Sequence, residues 1–147
     1  MSVFADSSAL VKLYADERGH EEIRDLATLV ISQLARVEVP SAIWRKQRTG
    51  DITAADAALL VAAFEADYFG SDEQPPLFAV VTPTPAVLDA AARLAGVHGL
   101  RAYDAVQLAS GCAAAGADAG CDSFAAFDAA LRGAAAVEGF TLVPAPD

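Results

Sequence analysis

Two apolar runs in this chain end on an aspartate that also opens a helical pattern. Val3 to Ala5 leads into Asp6-Ser7-Ser8, and Phe124 to Phe127 leads into Asp128. Other strand-like runs lie between and beyond them: Leu26 to Ile31, bounded by Ser32, then Phe78 to Val81, and Thr141 to Val143 before Pro144. Helical periodicity fills the intervals. One helix is expected after Asp6, through Leu10, Leu13 and Tyr14 to a stop at Gly19. Others run from Gln33 to Gln47, from Thr53 through Leu59, Leu60 and Phe64, from Thr84-Pro85 to near Gly96, from Arg101 to Ala115 and from Asp128 to Val137. Proline at a first helical position and glycine at a helix end are ordinary punctuation. Strands that alternate with helices specify an α/β fold with a mainly parallel central sheet. At 147 residues and 54% hydrophobic content, with no repeat or linker, the whole chain (1–147) reads as one domain able to bury a core.

No stretch reaches the roughly 18 apolar, uncharged residues that a spanning helix needs. The start, MSVFADSSAL, lacks the basic and apolar regions of a secretion signal. A cytoplasmic protein without a membrane partner is therefore expected. Cys112 and Cys121 suit that compartment as reduced, small hydrophobic residues, with no CxxC or Cys/His cluster to suggest zinc.

The net charge of −10 argues against nucleic-acid binding through a basic surface. It leaves one other route, in which carboxylates gather at a site that cations neutralise. Four acids stand in unusual places. Asp6 and Asp128 sit where strands end and helices begin, the edge of an open α/β sheet at which ligand sites form. Helix capping accounts for either one alone. Asp104 shares a helix face with Leu100 and Leu108, and Glu38 shares one with Leu34 and Ala42. A carboxylate in an apolar stripe is costly unless partnered. Arg101 is the local candidate to pair with Asp104, and a metal ion is the other. Glu38 equally reads as a solvated residue near Arg36 and Arg45. Asp16, Glu17, Glu21, Glu22 and Asp25 read as an ordinary solvated run. Two carboxylates about 4 Å apart repel by about 4 kcal/mol at an effective dielectric of about 20. Were the four to converge, cations or protons would have to relieve that repulsion. Oxygen ligands without nitrogen or sulfur suit Mg2+ or Mn2+.

With those residues in view, the chain resembles a PIN domain, and more narrowly a VapC-type toxin ribonuclease of a type II toxin–antitoxin system. Asp6 in FADSSALVKLY resembles the first acidic motif, Glu38 in ARVEVPSAIWRK the helix-borne glutamate, Asp104 in HGLRAYDAVQLASG the third acid and Asp128 in DSFAAFDAAL the fourth. Asp122 matches an aspartate often found just before the Phe124–Phe127 strand. The resemblance implies a three-layer α/β/α sandwich with a mainly parallel sheet and a homodimer. It further implies Mg2+- or Mn2+-dependent endoribonuclease activity in which water attacks a phosphodiester, and a cognate VapB-type antitoxin. Asp6, Glu38, Asp104 and Asp128 would be the catalytic metal ligands, with Ser7, Ser8 and Asp122 supporting them.

Two departures bear on the site. Ala126 stands where the family often has Thr or Ser, and Pro40 lies within the glutamate's helix, where it removes a backbone donor. They keep a second reading in play, a non-catalytic PIN-like RNA-binding or protein-interaction module with a weakened metal site. Lys12, Arg45, Lys46, Arg48 and Arg101 are the candidates for RNA phosphate contact, although a basic helix end also complements the helix dipole. Trp44 reads as core or dimer interface, and neither His20 nor His98 has a partner at catalytic spacing. A haloacid-dehalogenase-type phosphatase would want an aspartate where Ser8 stands. A phosphoacceptor receiver would want a late lysine, and none follows Lys46.

Overall fold

The computed structural model describes all residues from Met1 to Asp147. Its five strands, β1 (Val3–Ala5), β2 (Leu29–Ser32), β3 (Phe78–Val81), β4 (Ser123–Ala125) and β5 (Thr141–Val143), form one sheet in the order β3-β2-β1-β4-β5. Every pairing is parallel, so the mainly parallel expectation becomes all-parallel. The connections are α1 (Ser7–Leu10), which runs into a 3-10 turn at Val11–Leu13, α2 (His20–Arg24), α3 (Ala35–Arg48), α4 (Ala54–Phe69), α5 (Pro85–His98), α6 (Ala102–Ala117) and α7 (Ala129–Val137).

Strand alternation divides the apolar residues between two cores. Phe4 and Phe124 face one side, where they pack with Leu94, Leu108 and Leu131 from α5, α6 and α7. Val3, Ala5 and Ala125 face the other side, with Leu10, Ile23, Val39, Ile43 and Phe64 from the first four helices. The result is a three-layer sandwich built by the two-residue period of the strands. Trp44 packs against the second core. Cys121 is buried, Cys112 is half-buried and both are free thiols. No helix is long and apolar enough to cross a membrane.

The first helical segment differs from expectation. It ends at Leu13, and Gly19, at φ +86°, caps the start of α2 instead of closing α1. The run expected to be plain solvated acids contains that extra helix, anchored by the fully buried Ile23. Glu17 within the run is not free either. It accepts from Lys12 and pairs with Lys46. Burial raises its pKa, but the two lysines outweigh that and leave it lowered. The helix after Thr84-Pro85 continues to His98 and closes on Gly99 rather than near Gly96. Helix α3 runs through Pro40 without interruption, which leaves Glu38 in its first turn.

Helix α6 lies close on the sheet at Gly111. A Cβ there would come 2.7 Å from Phe124 Cε2 and 3.3 Å from Phe4 Cδ1. Those two rings already touch, with centroids 5.0 Å apart. Gly111→Ala should therefore lose more to overpacking, about 1–3 kcal/mol, than the roughly 1 kcal/mol that alanine's helix propensity returns. Urea melts should show a lower midpoint at an unchanged slope.

Candidate active site at the carboxyl edge of the sheet

The sheet order reverses at β1. Strands β2 and β3 extend to one side of it, and β4 and β5 to the other. From Ala5 the chain enters α1 in one helical layer, while from β4 it enters α7 in the other. Adjacent parallel strands whose chains leave to opposite faces open a crevice at their carboxyl ends. Asp6 follows β1 directly and Asp128 follows β4 by three residues.

Asp6 is only 4% exposed. Its Oδ1 accepts from the Ala9 backbone N–H at 2.9 Å, as a helix cap, and from Ser8 Oγ at 2.7 Å. Burial pushes its pKa up to about 6. The bonds from Ser8 and Ala9 oppose that rise, and the charges of Glu38 and Asp104 add to it. Asp6 is thus a cap, and it also feels two further carboxylates from opposite helical layers.

Glu38 reaches the crevice from α3. Its Oε1 accepts from Ser7 Oγ at 3.1 Å and from Gln107 Nε2 at 2.8 Å. Asp104, in the first turn of α6, is bonded through Oδ2 to Arg101 Nε and Nη2, both at 3.3 Å. The Arg101 side chain is 83% exposed, so the pair is a long surface bridge rather than a buried one. Asp128 caps α7 through Oδ2, which accepts from Leu131 N–H at 2.9 Å, and it is not among the charges that shift Asp6. One oxygen of each acid is thus engaged, and its other oxygen accepts no protein hydrogen bond. As placed, no three His, Cys, Asp or Glu side chains form a ready cation cage.

Other candidates divide. Ser8 donates to Asp6 and accepts from Phe127 N–H at 3.2 Å, which ties the exit of β4 to the β1 acid. Asp122 stands before β4, at the opposite end of the strand from Asp6, and accepts from Ser123 Oγ. It is not brought to the acids. Ala126 packs in the first core. Lys12 is buried against the Phe127 ring and donates to Glu17 and to the Arg18 carbonyl, and Lys46 pairs with Glu17. Both lysines are ion-paired with Glu17, whereas Arg45, Arg48 and Arg101 are exposed. His20 meets the Glu17 carbonyl and His98 meets Glu138. Gln107, only 2% exposed, also belongs to the site, and its mark in the sequence is a polar residue one turn beyond Asp104, next to Leu108.

The chain matches the PIN domain family over residues 3–137 and belongs to it. PIN domains are generally nuclease domains. The solved structure of PAE2754 from Pyrobaculum aerophilum is similar, with a TM-score of 0.63 and 24% identity over 98% of this chain and 85% of that one. At that identity the likeness concerns the fold alone. No curated protein matches the chain.

PIN nucleases usually use divalent metals, and the donor set fits such an ion chemically. It offers carboxylate oxygens, one of them deeply desolvated, and no nitrogen or sulfur. Two stability predictions follow for the protein in EDTA. Asp104→Asn loses only an exposed bridge, about 0–1 kcal/mol, and relieves repulsion on Asp6, so denaturant melts should show a neutral or stabilising change. For Asp6, the folded pKa of about 6 lies above its ordinary 3.8. The native state therefore holds the proton more tightly, and stability falls as pH rises between those values. Asp6→Asn removes that slope. Its stability relative to the parent should climb from pH 4 to pH 7, by roughly 3 kcal/mol at most.

Proposed function

We propose that this protein is a Mg2+-dependent endoribonuclease, the toxin of a VapBC-type pair. In this reading it acts in the cytoplasm as a single PIN domain and a homodimer, hydrolysing RNA phosphodiester bonds with metal-activated water. The observation that carries the reading is the buried Asp6 carboxylate at the switch point, approached by the charges of Glu38 and Asp104. Structural carboxylates do not need that repulsion. A site that holds a cation does.

Asp6, Glu38 and Asp104 would hold the ion, and Asp128 would be the fourth acidic ligand. A bound divalent cation lowers the pKa of its water and offsets charge on the phosphodiester oxygens. Ser8 and the Ala9 N–H hold Asp6 by one oxygen, and Ser7 and Gln107 hold Glu38 by one oxygen. Arg101, exposed beside Asp104, would meet a phosphate, and Arg45 and Arg48 would extend the grip along α3. The antitoxin's role would be to bring a basic segment to the acids in place of the ion. No histidine is required.

Cleavage of a panel of structured RNAs with Mg2+ or Mn2+, with EDTA as control, tests this. Asp6→Ala and Asp104→Ala should abolish activity. Ser7→Ala and Ser8→Ala should lower it about 10–100-fold, the usual effect of losing a bond that orients a ligand. His20→Ala and His98→Ala should retain it. Cleavage that persists in EDTA, or that needs a histidine, would defeat the mechanism. If no RNA is cut while Mn2+ still raises the melting temperature of the parent but not of Asp104→Asn, the binding-module reading takes its place.

A further inference from the structure

Gln107 is a buried amide on the inner face of α6, between Val106 and Leu108 and one turn after Asp104. Its Nε2 donates to Glu38 Oε1 at 2.8 Å and to Ser7 Oγ at 3.1 Å. Its Oε1 is buried with no hydrogen-bond partner, the one such side-chain atom in the molecule. A buried acceptor without a partner destabilises a fold, and an apolar side chain of the same length would avoid that penalty. The amide cannot turn over to relieve it, because Oε1 would then meet a carboxylate oxygen of Glu38. What offsets that penalty is the pair of bonds that Nε2 gives to Glu38 and Ser7, the one to the carboxylate being the stronger kind.

We infer that Gln107 is the positioning residue of Glu38. Its amide, with the Ser7 hydroxyl, holds Oε1 and leaves Oε2 as the oxygen that a divalent cation takes. The two donors reach Glu38 from different helices, α6 and α1, so the carboxylate is fixed from two directions. Fixing it removes side-chain freedom that cation binding would otherwise have to remove. This inference rests on the proposed metal-dependent reading of the site.

The test uses Gln107→Met, which keeps the length of the side chain without the amide, and Gln107→Leu as a second variant. Mn2+ affinity is measured by calorimetry, and stability by melting in EDTA. The expected result is a melting temperature in EDTA within about 4 °C of the parent's, because the relieved acceptor and the lost bonds offset each other, with Mn2+ affinity lowered about 10–100-fold. In a Glu38→Gln background, Gln107→Met should lower the affinity no further. Parent-like Mn2+ affinity in both Gln107 variants overturns the inference and leaves the metal-dependent reading standing. An equal loss in the parent and Glu38→Gln backgrounds also overturns it, because the effect then runs through packing. A parent protein that binds no Mn2+ removes the inference and the reading together.

Discussion

The desolvated carboxylate of Asp6 is the constraint around which the first turn of the chain is organised. A group that is 4% exposed and starts a helix has to be held by hydrogen bonds, because a bare buried charge is far more costly than a bonded one. Ala9 and Ser8 supply those bonds. Ser8 Oγ also accepts from the Phe127 N–H, across a sequence separation of 119 residues, so one hydroxyl ties the short helix to the exit of β4. The bonds do not cancel the effect of burial, since the pKa still stands at about 6.

The layers explain how further acids reach the same edge. Helix α3 packs on one face of the sheet and α6 on the other, so Glu38 and Asp104 approach Asp6 from opposite sides. The strand order makes this possible, because the chain leaves β1 and β4 toward different layers. Gln107 then crosses that edge from α6 to Glu38 on α3 and Ser7 on α1. Few other polar side-chain contacts join the two helical layers, and this one ends on Glu38, one of the candidate ligands.

Much of this was legible in the residues. Alternating strand and helix patterns specified a mainly parallel sheet, and the position of Asp6 and Asp128 after apolar runs put them at carboxyl ends of strands, while the pairing of those two strands is a feature of the fold. Other features depend on contacts far apart in sequence. Lys12 reads as a surface cation until Glu17, the Arg18 carbonyl and the Phe127 ring close around it. Asp122 is near Asp128 in the chain, but an intervening strand carries them to opposite ends of the sheet. Gly19 looks like a helix stop, and its positive φ serves the next helix. Gln107 looks like a neutral filler on a helix of small residues, and its role exists only because α1 and α3 bring Ser7 and Glu38 to it.

Glu17 and Asp6 show that this chain treats its carboxylates in two ways. Glu17 is held by Lys12 and Lys46, and its pKa is lowered. That is how a structural carboxylate is stabilised, since cationic partners fix its position and offset its charge together. Asp6 and Glu38 are held by hydroxyls, a backbone N–H and an amide, with no lysine or arginine bonded to either. Neutral donors fix position and leave most of the negative field in place. A lysine bonded to either acid would offset its charge and so weaken what attracts a cation there. The field at the carboxyl edge of β1 is thus a consequence of which donors surround the acids, beyond the number of acids present. A net charge of −10 by itself would not create it, because the exposed acids elsewhere on the surface are screened within about 10 Å at ordinary salt.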